Sequence, residues 1–314
     1  MIDRNNRPGG PHLVVTAKTA NKVQFFDAAT LALTSEIDMP ASTHEMILSP
    51  DGSKVFASVY GGGIFGKNSH PDRRIAVIDL ATRALERMID VGADVAPHGV
   101  MMAGDTLWAT AELGDAVLAI DPGNDEVKRV GIGGRPHWVA AANGQVFASC
   151  KTTDFVVAID AARRKPIEKI HIPNLAEGVA VSPDGETLYV CAHRKGELYA
   201  FDASTHALRT TVEIEGAPGT ANQLRRVRVS PDGRYVVVSS LVDCHVAIYQ
   251  ADTLKQIGSL ATRKAPMGFG FAADGKHAFV CCHDAAIVTE FELSTGRVTR
   301  EFPTASGCEF IIAH

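Results

Sequence analysis

Three histidines stand at matching places in the chain. His44 lies at the start of THEMIL, His98 follows the proline of PHGVMM, and His137 follows that of PHWVAA. Each imidazole therefore opens a short apolar run. Equivalent runs open on Glu177 (EGVAV), Arg225 (RRVRV), Met267 (MGFGF) and Cys308 (CEFII). A second set closes the runs that follow: Lys18, Tyr60, Glu112, Lys151, His193, Ser240 or its neighbour Leu241, and His283. Imidazole, carboxylate, ammonium and guanidinium groups hold divalent metals, move protons near neutral pH and clamp anions. Five of the 12 histidines fall in these few places, far more than an even scatter would put there.

Two chemistries suit that inventory. In the first, His44, His98 and His137 are ligands to a divalent metal (Zn, Fe, Cu, Mn or Ni), with Glu177 as a fourth ligand or as base for a metal-bound water. Glu45 and Glu112 are the candidate outer acceptors that would orient the imidazoles. In the second, the same histidines and Glu177 work without metal as general acids and bases. Arg225 then clamps a substrate carboxylate or a developing enolate, and Lys18, Tyr60, Glu112, Lys151, His193 and His283 form the substrate shell. Elimination beside a carbonyl, or opening of a lactone or ester, would use such a set. No CxxCH for covalent haem occurs, nor a glycine-rich phosphate loop between a strand and a helix, so neither haem nor nucleotide is expected.

These residues meet only if a repeat brings them together. Ser-Pro-Asp-Gly recurs at 49–52, 182–185 and 230–233, with Ala-Ala-Asp-Gly at 272–275 and shortened forms at Asn143-Gly144 and Gly104-Asp105. Each separates two β-rich runs, the pattern of a tight hairpin. A third run then closes on Asp27, Asp79, Asp121, Asp160, Asp202, Gln250 or Glu292 and turns into a fourth. Seven units of about 45 residues, four antiparallel strands each, make propeller blades. The chain opens on three strands that lack an inner one and finishes with GCEFIIAH, which supplies it. The expectation is an all-β, seven-bladed β-propeller, one domain over 1–314, its ring closed by the last strand. First-strand starts and second-strand ends then share one face, so both residue sets surround the mouth of the central channel. The insertion GGGIFGKNSHPDRR at 61–74 and the segment APGTANQLR fall on that face too, as insertions at a binding face do. Its glycine run lets the first bend over the channel, where His70, Asp72, Arg73 and Arg74 could reach inward; the alternative is a solvated loop, which suits Arg73 and Arg74 at least as well. Trp138 is expected to point away from the channel by strand alternation.

The phrases VFASVY, LYVCAH and AFVCCH, each followed closely by a VID-like run, resemble degenerate YVTN repeats. Over nearly its whole length the chain resembles the YVTN/YncE-like seven-bladed propellers. That family and its relatives include scaffold proteins, lactonases, lyases and cofactor-bearing oxidoreductases, so the resemblance implies the architecture and leaves the reaction open. Virginiamycin-B-lyase-like enzymes place a comparable histidine and glutamate set on this face.

Composition narrows the classes. A net charge of −5 and a pI near 6.2 argue against nucleic-acid partners, which call for a basic stripe. No apolar run is long enough for a membrane span, and no secretion signal is visible, so the cytoplasm is the expected compartment. The six cysteines form no CxxC pair, and Cys150, Cys191, Cys281 and Cys282 read as buried small apolar residues in a reducing environment. The first reading is a lyase or hydrolase acting on a small polar or anionic molecule at the channel mouth. A non-catalytic YVTN-type scaffold and a His-ligated copper or iron oxidoreductase are the alternatives. The scaffold is disfavoured by an aromatic content of 6%, because interface anchors are commonly Trp and Tyr.

Overall fold

A computed structural model of the chain describes residues 12–64, 67–93, 95–192, 194–214 and 224–314, with the side chains of 224 and 225 excepted. Seven four-stranded antiparallel sheets follow one another, as the repeat predicts. Blade 1 combines residues 12–38 with Cys308–Ala313, and blades 2 to 7 span 43–90, 97–131, 136–171, 176–213, 224–261 and 266–303. The last strand pairs antiparallel with His12–Ala17, Thr16 opposite Phe310, which closes the ring. Among the described residues no helix is long and apolar enough to cross a membrane. All six cysteines are free.

Each blade buries its inner three strands and exposes the fourth. The second strand of blade 2, KVFASVYGG, is buried over most of its length, while the outermost strand of blade 4, KPIEKIH, is almost wholly exposed. Apolar residues from facing sheets fill the wedges between blades, such as Phe56, Ile75, Leu107 and Leu118 between blades 2 and 3. The Asp-Gly turns do the structural work expected of them: Ser49, Ser182 and Ser230 each hydrogen-bond the aspartate two residues on.

A feature the sequence reading lacked is a β-bulge near the start of every inner strand. In blade 2 Thr43 pairs with Val59 and Met46 with Ala57, so His44 and Glu45 together oppose Ser58. The same shift occurs at 97/100, 136/139, 176/179, 224/226 and 266/269, and where the closing strand meets 16/17. A bulge breaks the strict alternation of a strand and re-aims side chains. Two consecutive residues per blade are thereby available to the channel mouth.

Candidate active site

The bulges decide which residues enter the channel. His44, His98, His137 and Glu177 are buried there as expected, and they line a cavity of about 580 Å³ at the mouth with Lys18, Lys151, Met267 and His283. Leu241, not Ser240, lines it in blade 6. One expectation shifts by one residue: Glu309 replaces Cys308, whose thiol turns into the core and donates to the carbonyl of Ile287. Arg226 adds a guanidinium to the cavity wall that the repeat alignment did not assign. His193 and the side chain of Arg225 lie outside the described residues. Tyr60 and Glu112 are fully buried beneath the surface: the Tyr60 hydroxyl donates to the Glu112 carboxylate at 3.0 Å, and the Tyr60 ring packs 4.5 Å from that of His44.

Trp138 corrects the expectation of alternation. Because the blade 4 bulge spans His137 and Trp138, the indole turns into the channel, where the Arg226 guanidinium lies 3.9 Å from its ring centre and Phe310 6.5 Å away. Arg226 donates to Glu45 of blade 2 and, at 2.7 Å, to Glu309 of blade 1, tying three blades across the axis. In the 61–74 arm Arg74 pairs with Asp72 and Arg73 with Asp90, the solvated alternative for those two arginines; among the arm's described residues Ile64 lines the cavity.

A line of hydroxyls sets the histidines in place. The Thr16 hydroxyl donates to the carbonyl of His44 (2.9 Å), Ser58 to that of His98 (2.7 Å) and Thr110 to that of His137 (2.8 Å). Ser58 and Thr110 also accept from the bulge amides of Glu45 and Gly99 in their own blades. Each hydroxyl therefore fixes its own bulge and the site residue of the next blade. Gly99 permits the close approach this needs: a β-carbon there would stand 2.8 Å from the carbonyl oxygen of His137.

The three imidazoles stand in a row, His44 to His98 at 4.6 Å between ring centres with planes 52° apart, and His98 to His137 at 3.9 Å with planes 34° apart. The donor atoms that do come together, within 4.8 Å, belong to His44, Glu45 and His98. His137 and Glu177 meet Lys151 instead: Lys151 Nζ lies 2.9 Å from Glu177 Oε1 and 3.4 Å from His137 Nε2, and His137 Nε2 lies 3.4 Å from the same carboxylate. Glu112 stands 3.8 Å from His137 Nδ1. Burial holds His44 and His98 well below the usual imidazole range, reinforced at His44 by Lys18 and Arg226 and at His98 by its histidine neighbours. Both are neutral near pH 7. Burial also lowers Lys18, opposed by Glu309, and pushes the Glu45 carboxyl up to about 7 against the pull of Arg226.

A seven-bladed propeller with an ionisable, histidine-rich cavity at its channel mouth defines the class. The family model described as lactonase, 7-bladed β-propeller, matches residues 134–307, more than half of the chain, and the chain belongs to that family. A candidate 6-phosphogluconolactonase from Bacteroides fragilis superimposes with a TM-score of 0.79 at 18% identity, covering 99% of this chain and 100% of that one. A Kuenenia stuttgartiensis hydrazine synthase chain gives 0.74 at 16%, covering 93% and 98%. At such identities these likenesses show the fold alone. Antigen Lp49 of Leptospira interrogans is 24% identical over 280 residues, 80% of this chain, and the chain spans 57% of that protein's length.

Proposed function

We propose that the chain is a hydrolase that opens a lactone or closely related small ester at the channel mouth. The observation that carries this reading is the buried His137–Glu177–Lys151 cluster in the cavity wall of a lactonase-family propeller. Opening the ring requires a base for the attacking water, a cation for the oxyanion, and a proton for the departing ring oxygen. Water adds to the carbonyl carbon as the His137–Glu177 pair takes its proton. The lysine ammonium groups facing the cavity, Lys151 and Lys18, stabilise the tetrahedral oxyanion. As the carbonyl re-forms, the bond to the ring oxygen breaks, and the proton held by the pair passes to that oxygen. The product is a hydroxy acid.

A metal-assisted version of the same hydrolysis is supported by the His44, Glu45 and His98 donor group, two of whose members were expected as ligands from the sequence. One experiment tests both versions. Tag-free protein is assayed against a panel of lactones by proton release, beside Glu177→Gln and His98→Ala variants and with elemental analysis of each. The acid–base version expects Glu177→Gln to lower kcat by at least about 100-fold, with no stoichiometric metal. The metal version expects near-stoichiometric metal that His98→Ala loses together with activity. Undiminished turnover in both variants would remove this site.

A further inference from the structure

We infer that the substrate of this cavity is a lactone bearing an apolar arm, alkyl or aromatic, rather than a phosphorylated sugar lactone. The inference rests on the hydrolytic reading above and specifies its substrate.

The apolar evidence lies in where exposed hydrophobic side chains fall. Among the described residues, Leu33, Ile167, Leu208 and Val298 lie on the outermost strands of their blades, as strands facing solvent permit. The remaining three, Ile64, Leu113 and Val242, lie on the connections between the second and third strands of blades 2, 3 and 6. Ile64 and Val242, 57% and 49% exposed, line the cavity itself beside Leu241 and Met267. Apolar side chains concentrated at the rim of a polar pocket mark a ligand-binding surface.

Charge sets the other end of the ligand. Of the described cations around the cavity, Lys151 is bonded to Glu177, Arg226 to Glu45 and Glu309, and Lys264 to Asp284. Lys18 differs. It lines the cavity, is only 9% exposed, and its ammonium has no hydrogen bond or close ion pair among the described residues, standing 5.8 Å from the centre of the Tyr60 ring. A buried ammonium without a partner calls for an acceptor from the ligand. One such group matches one carbonyl, oxyanion or carboxylate; a phosphate dianion asks for a cluster of uncommitted cations.

The larger apolar lining residues are grouped: Leu241 and Val242 come from blade 6, Met267 from blade 7 and Ile64 from blade 2, blades that also contribute Arg226, His283 and His44, while blades 3 to 5 contribute His98, His137 and Glu177. A lactone carbonyl held between Lys18 and the His137–Glu177 pair would leave its arm towards Leu241, Val242 and Met267.

The test uses γ-butyrolactones with alkyl arms from methyl to octyl on the ring carbon next to oxygen, their ring-opened 4-hydroxyalkanoates, and 6-phosphogluconate for comparison. Binding of the acids is measured by calorimetry and ring opening of the lactones separately. Each added methylene is expected to tighten binding by up to about fourfold until the arm outgrows the rim, with 6-phosphogluconate weaker than the hexyl and octyl acids. Val242→Asp combined with Ile64→Asp, both exposed positions, should flatten that dependence. Lys18→Met should weaken every acid at least about tenfold while preserving the dependence on length. Affinity independent of arm length, or tightest binding of 6-phosphogluconate, overturns the inference. Length-dependent binding without ring opening of any lactone upholds the ligand class and removes the hydrolytic reading instead. Ring opening without length dependence removes only the ligand class.

Discussion

Glu45 is where burial and ion pairing oppose each other most sharply. Its carboxylate receives the Arg226 guanidinium, which favours the charged form, yet burial outweighs that pull and places the group at about 7 against an ordinary 4.5. A carboxyl with a raised folded-state value holds its proton more tightly when folded. Its contribution to stability is therefore complete below pH 4.5 and is lost as the pH climbs towards 7. The loss should be on the order of 1–3 kcal/mol, and Glu45→Gln, which cannot ionise, should not suffer it. Urea unfolding of both proteins from pH 4 to 8 checks this: the difference in unfolding free energy should move in favour of the variant between pH 4.5 and 7. A constant difference, or movement the other way, would mean that Arg226 dominates. The residue scale also shows what a repeat alignment can and cannot see. His44, His98, His137, Glu177, Lys18, Lys151 and His283 were found because residue type and blade position coincide. Arg226, Glu309 and Trp138 were missed because strict alternation assigns only one of two neighbours to the channel, and the bulges admit both.

The second strand of each blade carries a signal that was present in the sequence and passed over. Thr16, Ser58, Thr110, Ser149 and Ser239 occupy one aligned position, two residues before the ring-forming Lys18, Tyr60, Glu112 and Lys151 and the Leu241 of blade 6. Cys191 and Cys281 fill the same position in blades 5 and 7. What looked like scattered small residues is a hydroxyl-or-thiol position facing the bulge, and it accounts for two of the buried cysteines by place rather than by redox chemistry. Thr110 shows the element's function most fully: it accepts from the Gly99 amide and donates to the His137 carbonyl, both at 2.8 Å. Thr110→Val keeps the shape and leaves both backbone groups buried without that partner. It should cost about 1–3 kcal/mol of stability and lower kcat by loosening His137. Thr110→Ser should restore both. Thermal unfolding and lactone turnover on the pair provide the check; a valine variant with wild-type kcat would mean that the bulge holds His137 without the hydroxyl.

At the scale of the whole molecule, ring closure and site assembly are one event. The strand Cys308–Ala313 completes blade 1 through its pairing with His12–Ala17, and its second residue, Glu309, accepts from Arg226 of blade 6 and lies 3.8 Å from His44 of blade 2 and 3.7 Å from His283 of blade 7. The strand that removes the open edge of the sheet thus carries the carboxylate at which four blades meet. Truncating the chain before residue 306 should expose the edge of His12–Ala17, lower the melting temperature and abolish turnover. A peptide of residues 306–314 added in trans should pair with that edge, as extended segments do with open sheets, and restore both properties with the same saturation curve. The same peptide with Glu309→Gln separates the two functions of the strand. It should restore melting, because the backbone ladder and the packing of Phe310 and Ile311 are intact. It should return turnover reduced at least about tenfold, because Arg226 then loses a buried charged partner and its hold across the channel mouth. Full turnover with the substituted peptide would confine the last strand to closing the ring and detach the Arg226 network from catalysis.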